Sequence, residues 1–250
     1  MAFLPILVEV ADRPVLVIGG GNVALRKVEN LRQAGAFVTV ISPRLCERLR
    51  QLAGAGEVNL IERCYQPGDM AGFSLVYAAT DDPALERELF AEARRLGMMI
   101  NVAGQPELCN FIVPSTLRRG DLLVAISTGG ASPALARRLR QQLELALGAE
   151  SAMLVELMSR ARRRLRESLD DGNLRMRRLN ALADSELGEC LRRRDLAQVD
   201  CLLAEHLGVD FSLAALGFTT EHVNEWLAGR IGIADGPPTQ AGSAGDVSRP

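Results

Sequence analysis

Gly19-Gly20-Gly21-Asn22-Val23-Ala24 follows directly on the apolar run Val15-Leu16-Val17-Ile18 and has the form G-x-G-x-x-A. In a turn between strand and helix, each small residue has a task. Gly19 permits the tight turn, Gly21 lets a pyrophosphate approach the backbone, and Ala24 lets helix and strand pack closely. The helix start then presents free amides to the phosphates, so the chemistry to expect is dinucleotide binding. A second stretch, NVAGQPELCNF at 101–111, leaves the apolar run MMINV. A loop at the carboxyl end of a parallel strand is where α/β proteins place reacting groups. Its tightest point is Gly104, which has nothing to titrate. A third stretch, Thr128-Gly129-Gly130-Ala131-Ser132-Pro133, opens a helix. Its threonine and free amides either bind a carboxylate or simply begin a well-capped helix.

The elements that must position these stretches follow from hydrophobic periodicity. Strands are expected at 15–18, at FVTVI (37–41), at VNLI (58–61), at SLVYAAT (74–80) and at MMINV. Ala24, Val28 and Leu31 recur at helical spacing after the glycine turn, and Gly35 falls where a left-handed helix stop belongs. Asp82 and Pro83 begin another helix as N-cap and first helical residue, Leu85, Leu89 and Leu96 mark its inner face, and Gly97 ends it. Strands alternating with helices imply a parallel, doubly wound sheet. Thr80 and the 101–111 loop then share the carboxyl edge with the glycine turn, within reach of a bound nicotinamide. The second strand ends in Ser42-Pro43-Arg44 rather than in the acid that commonly holds the adenosine ribose of NAD. Arg44 meets a 2′-phosphate of NADP, lies along the adenine, or is a plain exposed arginine.

Further along, LLVAIS (122–127) is one more apolar run. Ser132 caps the helix that follows, with Leu135, Leu139, Leu143 and Ala146 as its stripe and Gly148 at its end. From Ser151 to about Ala234 the pattern is helical, with Leu154, Leu157, Met158 and Leu165 on one face and arginines opposite. Phe218 and Trp226 are expected to anchor a small helical core. The final GPPTQAGSAGDVSRP has the composition of a disordered tail.

Composition excludes several classes. The 250 residues carry a net charge of −2, and no apolar run approaches the roughly 20 residues of a membrane span. The amino terminus lacks the basic leader and cleavage site of a signal peptide, so a mature cytoplasmic protein is expected. Five scattered cysteines without a CxxC pair signal neither disulfides nor zinc, and two lone histidines, His206 and His222, argue against a metal site. Between Ser115 and Asp195 there are 16 arginines against 11 acids. That local excess suits an anionic partner. The arginine runs lack interleaved aromatics, so no nucleic acid is expected.

Taken together, LPILVEVADRPVLVIGGGNVALRKVENL, VISP, AATDD, PELCNFIVPS and STGGASPALARRLR resemble the precorrin-2 dehydrogenase module found at the amino terminus of siroheme synthases. The resemblance covers residues 1 to about 150 in family order and extends more loosely over the arginine-rich helices. It implies an NAD-binding Rossmann domain at 1–113, a dimerisation segment at 114–150, a helical domain at 151–234, and a tail at 235–250. The implied reaction is NAD-dependent oxidation of precorrin-2 to sirohydrochlorin on a homodimer; some family members also insert iron. Carried over by position, Gly19, Gly21, Asn22, Val23, Ser42, Pro43, Arg44 and Thr80 would bind NAD. Ser115, Arg118, Arg119, Thr128, Arg137 and Arg138 would meet the substrate, whose eight carboxylates suit arginine forks. Asn101 and the Gly104 position would be catalytic. The family normally has an aspartate where this chain has Gly104, proposed there as general acid or base. A dehydrogenase can survive that loss on positioning alone, whereas iron insertion, which needs a proton acceptor, is more exposed to it. Glu107, the nearest acid, reads as a surface turn residue. The alternatives are a bifunctional dehydrogenase and sirohydrochlorin ferrochelatase or, from another class, a non-catalytic tetrapyrrole-binding protein.

Overall fold

The computed structural model describes residues 3–229. The tail expected at 235–250, and the last residues of the helical stretch, lie outside them. The chain divides into two compact units: residues up to Ser115 together with Ser127–Ala136, and Thr116–Ile126 together with residues from Arg137 onward. Among the described residues, no helix is long and apolar enough to cross a membrane.

The first unit is built on a five-stranded parallel sheet in the order β3-β2-β1-β4-β5. The strands are β1 (Pro14–Ile18), β2 (Phe37–Ile41), β3 (Asn59–Ile61), β4 (Leu75–Ala78) and β5 (Met99–Val102). All agree with the expected runs to within two residues at either end. Alternation along the central strands feeds two cores. Val15, Val17, Val38, Val40 and Tyr77 face one side with Ala24 and Val28, while Leu16, Ile18, Val76, Ile100 and Val102 face the other with Leu89 and Ala93. Burial on both faces is what a doubly wound Rossmann-like sheet requires.

Helix α1 (Asn22–Gln33) buries Ala24, Val28 and Leu31, and Gly35 follows it at φ +78°. Helix α2 (Glu47–Gly54) was not anticipated from the sequence; Leu49 and Leu52 hold it to the first core. Helix α3 (Pro83–Leu96) begins as expected. The Asp82 carboxylate accepts from the amides of Ala84 (2.9 Å) and Leu85 (3.3 Å), and Gly97 closes the helix at φ +67°. Its inner face differs from the expected leucine stripe. Glu86, Leu89 and Ala93 are buried, whereas Leu96 is 43% exposed. The small Ala93 lets the helix approach the sheet, and Leu96 is the last residue before the chain turns back.

Strands β6 (Ser115–Arg119) and β7 (Leu122–Ile126) form a separate two-stranded sheet, which lies in the second unit from Thr116 onward. The two-residue connection Gly120-Asp121 is one that only antiparallel strands can use. Gly120, at φ +56°, packs against Ala152 and the ring of Trp226. Helix α4 (Pro133–Ala146) is capped by Ser132, whose Oγ accepts from the Leu135 amide at 3.2 Å. Its expected stripe is not buried among the described residues: Leu135 and Leu139 are 48% and 38% exposed, and Ala136 is the helix's only buried residue.

Helices α5 (Ala149–Ser168), α6 (Gly172–Ala183), α7 (Leu187–Arg193), α8 (Leu196–Leu207) and α9 (Thr220–Leu227) enclose a third core containing Leu157, Leu165 and Phe218, with Trp226 packed on it. Two arginines of α5 are structural rather than merely solvated. Arg160 donates to the carbonyls of Leu216 and Gly217 (3.2 and 2.9 Å) and lies 4.2 Å from the Phe218 ring centre, and Arg164 donates to the Ala215 carbonyl at 2.7 Å.

Candidate active site

The glycine turn is the junction of three strand ends. The Gly19 amide donates to the Ile41 carbonyl (2.9 Å), and the Ala79 amide donates to the Ile18 carbonyl (2.8 Å). Gly19 takes φ +120°, and a Cβ there would lie 2.1 Å from the Ala79 carbonyl oxygen. Gly20, which carries no role in the G-x-G-x-x-A reading, is equally constrained: its Cβ would fall 2.0 Å from the Arg44 carbonyl oxygen. The Cys46 amide donates to the Gly20 carbonyl at 2.8 Å, which ties the loop after β2 to the turn. Gly21 is different. It is exposed, and a Cβ on it would meet nothing within 4 Å.

Gly21 is the N-cap of α1, no side chain caps that helix, and Leu25 is the first residue whose amide reaches an acceptor at its start. The amides of Asn22 and Val23 are therefore left for an external acceptor, at the positive end of the helix dipole. Asn22 and Val23 are both exposed. An uncapped helix start behind an open glycine fits the diphosphate of a dinucleotide.

Ser42 is buried, and its hydroxyl donates to the Arg44 carbonyl at 2.7 Å, so its first role is to shape the Ser42-Pro43-Arg44 turn. Pro43 and Arg44 are exposed beside it. Thr80 is half-buried at the end of β4, and its Oγ1 lies 3.4 Å from the Asp82 amide.

The 101–111 loop closes on the outer side of β5. Strand β5 is an edge, so the outward-facing polar groups of Met98, Ile100 and Val102 have no neighbouring strand. Two side chains of the loop supply the missing partners. Asn110 accepts from the Ile100 amide (2.8 Å) and donates to the Met98 carbonyl (2.7 Å), while its own amide donates to the Ile100 carbonyl (3.1 Å). The Cys109 thiol accepts from the Val102 amide (3.2 Å) and lies 3.3 and 3.2 Å from the carbonyls of Val102 and Gln105. Burial pushes the Cys109 thiol above its ordinary pKa, which keeps it a donor. Asn101 is buried, and its Nδ2 donates to the Phe111 carbonyl at 3.1 Å. These contacts fix the loop around a turn at Ala103-Gly104, where Gly104 is exposed at φ +85° with open space where a side chain would stand. Glu107 sits exposed in the short 3-10 turn Pro106–Leu108. Replacing Asn110 with alanine should lower stability by about 1–2 kcal/mol. Native-state hydrogen exchange would read it, with the largest acceleration at the Ile100 amide.

The other expected residues fall in both units. Ser115 and Thr128 belong to the first, and the Thr128 hydroxyl accepts from the Ser132 amide at 3.0 Å, which favours the plain capping role for that side chain. Arg118, Arg119, Arg137 and Arg138 belong to the second. Arg119 donates to the Leu147 carbonyl at 3.3 Å, while Arg118, Arg137 and Arg138 are exposed. Sequence reasoning missed Gly20, Cys109 and Asn110. Each matters through a neighbour brought near only by the fold. Among the described residues, no group of His, Cys, Asp and Glu is arranged to hold a metal.

Residues 6–115 match the family described as "Putative NAD(P)-binding", and residues 119–145 match the family described as "Sirohaem biosynthesis protein central". Siroheme synthase of Pseudomonas aeruginosa is 40% identical over 219 residues, covering 87% of this chain and 47% of that protein. Residues 6–145 belong to the siroheme synthase amino-terminal module family. Siroheme synthase of Methylococcus capsulatus is 41% identical over 175 residues, covering 70% of this chain and 37% of that protein. The chain thus spans less than half the length of these siroheme synthases. A solved structure titled "SirC, precorrin-2 dehydrogenase" superposes with a TM-score of 0.63 at 22% identity, covering 80% of this chain and all of that one. At that identity the likeness shows the fold. The two family matches meet between residues 115 and 119, at the first strand of the two-stranded sheet.

Proposed function

We propose that this chain catalyses NAD-dependent dehydrogenation of precorrin-2 to sirohydrochlorin in siroheme biosynthesis. The observation that carries the reading is the uncapped start of α1 behind Gly21, set in a chain whose relatives are siroheme synthases. Bound NAD would accept a hydride from a ring carbon of the macrocycle, while a proton leaves to a base or to water. The amides of Asn22 and Val23 would hold the diphosphate, and the Ser42-Pro43-Arg44 turn would flank the adenosine. Thr80 and the Ala103-Gly104 turn would border the reacting carbon from the ends of β4 and β5.

With glycine at 104 the turn itself carries no carboxylate, and Glu107 is exposed on the neighbouring 3-10 turn, so the proton passes to solvent. Holding two reactants in attack geometry supplies roughly 7–11 kcal/mol without any base. Dehydrogenation is therefore favoured over iron insertion, which must remove protons from pyrrole nitrogens as the metal enters. Arg118, Arg137 and Arg138 would pair with the peripheral carboxylates. Segment 114–150 would form the dimer contact, where a second copy covers the exposed Leu135 and Leu139 of α4.

Purified protein given precorrin-2 and NAD anaerobically is expected to form NADH and sirohydrochlorin in equal amounts over many turnovers. Tight tetrapyrrole binding without NADH would establish the binding-protein reading instead. Failure of both would overturn the assignment.

A further inference from the structure

Lys27 is the only lysine among the 250 residues, against 28 arginines. It projects from α1, one turn beyond Ala24, and its Nζ lies 5.1 Å from the centre of the Tyr77 ring on β4. The Tyr77 ring meets the Phe111 ring edge-on, with centroids 5.5 Å apart and an interplanar angle of 81°. Tyr77 is also the register partner of Asn101, and the Asn101 side chain donates to the Phe111 carbonyl. One line of contacts therefore runs from the cofactor-binding helix to both ends of the 101–111 loop. Among the described residues, Lys27 makes no ion pair and no hydrogen bond.

A half-buried cation with no acidic partner is costly, and the face of an aromatic ring is the contact that offsets part of that cost. Arginine, used everywhere else in this chain, would bring a wide planar fork into the same space. A lysine presents a compact charge on a slender stem. The groups facing its ammonium are Arg26 on its own helix, Tyr77 on β4 and Cys109 in the loop. Burial, then Arg26, holds the Lys27 pKa below the ordinary lysine value, with Cys109 acting weakly the other way. Burial pushes the Tyr77 hydroxyl up to about 12, so the ring stays neutral and its face stays attractive to a cation.

We propose that Lys27 is a positioning residue for the reaction loop, its ammonium holding Tyr77 and, through the Phe111 ring, the segment from Asn101 to Phe111 in the shape that sets the Ala103-Gly104 turn. This deepens the dehydrogenase reading and rests on it for the rate, while the loop geometry can be tested without any activity.

A single lysine allows a direct measurement. Reductive methylation with 13C-formaldehyde labels Lys27 and the amino terminus alone. The Lys27 methyl signal is expected upfield of a solvent-exposed lysine because of the ring current of Tyr77, moving back in Tyr77→Leu. In Lys27→Met, amide exchange at Cys109, Asn110 and Phe111 should quicken and kcat should fall about tenfold with KM for NAD unchanged, and Lys27→Arg should recover only part of the loss. The pH signature separates positioning from plain packing. As pH rises through the Lys27 pKa toward the ordinary lysine value, the unfolded chain binds more protons at this site, so stability gains there while the ring contact and the rate are lost. Packing alone would move rate and stability together. A solvent-like methyl signal would overturn the proposal, and so would loop exchange unchanged in Lys27→Met. If the wild-type chain turns over no precorrin-2, the dehydrogenase reading fails, and the methyl signal with loop exchange still decides the role of Lys27.

Discussion

Alanine at Gly19 and alanine at Gly21 are expected to fail in opposite ways. At Gly19 the backbone sits at φ +120° and the added Cβ would be 2.1 Å from a main-chain oxygen of the neighbouring strand end. The backbone strain costs about 1–3 kcal/mol and the forced separation a similar amount, together a large share of a domain's stability. Gly19→Ala should therefore melt far below the parent protein or fail to accumulate as folded chain. Gly21→Ala meets no atom within 4 Å and asks for no unusual φ, so its melting temperature should stay within a few degrees of the parent. The new methyl would nonetheless enter the space through which a diphosphate reaches the Asn22 and Val23 amides. Losing one or two charge-assisted hydrogen bonds weakens NAD binding by about 10- to 100-fold. Calorimetric titration of NAD into a folded Gly21→Ala protein reads this directly. Undiminished affinity would place the dinucleotide elsewhere.

Gly104→Asp is expected to raise kcat at a cost in stability. A well-placed general base contributes about 10²–10⁴ in rate, and the lower end is appropriate for a carboxylate added to a loop not shaped around it. The site has room, since a Cβ at Gly104 meets nothing within 4 Å. The obstacle is the backbone: φ +85° disfavours any side chain by about 1–2 kcal/mol, although aspartate and asparagine tolerate it best. Gly104→Asn is the control, carrying the same strain without a base. Comparing initial NADH formation and melting temperature across the three proteins separates the contributions. Equal rates in the two variants would mean that the proton leaves by another route.

The sheet was legible because its strands are short apolar runs bounded by strong punctuation. Val15–Ile18 runs into three glycines, and Asp82-Pro83 and Gly97 bracket α3 with residues that suit only helix ends. Helix α2 carries a stop, Gly56 at φ +72°, but no mark at its start. It is eight residues long and its N-cap is Cys46 with no capping bond, so nothing local announces where it begins. It forms because Leu49 and Leu52 complete a core that exists only once the sheet is assembled. The candidate site divides along the same line. Gly21, Asn22 and Val23 would serve a diphosphate through their own backbone, which a local pattern encodes. Gly20 matters through Arg44, Cys109 through Val102, Asn110 through Ile100, and Lys27 through Tyr77. Those pairings are products of the fold, and residue type alone does not mark them. The stripe on α4 shows the reverse case: the pattern is plain, yet Leu135 and Leu139 stay exposed among the described residues.

Asn110 also bears on how the protein behaves in a crowded solution. An unfinished sheet margin invites any extended peptide to add itself, and repetition of that step builds fibrils. By supplying an amide oxygen to Ile100 and an amide nitrogen to Met98, Asn110 imitates the next strand with a single side chain. The loop at the carboxyl end of β5 thereby also acts as the selvage of the sheet on that side, finishing the weave so that no foreign strand is stitched on.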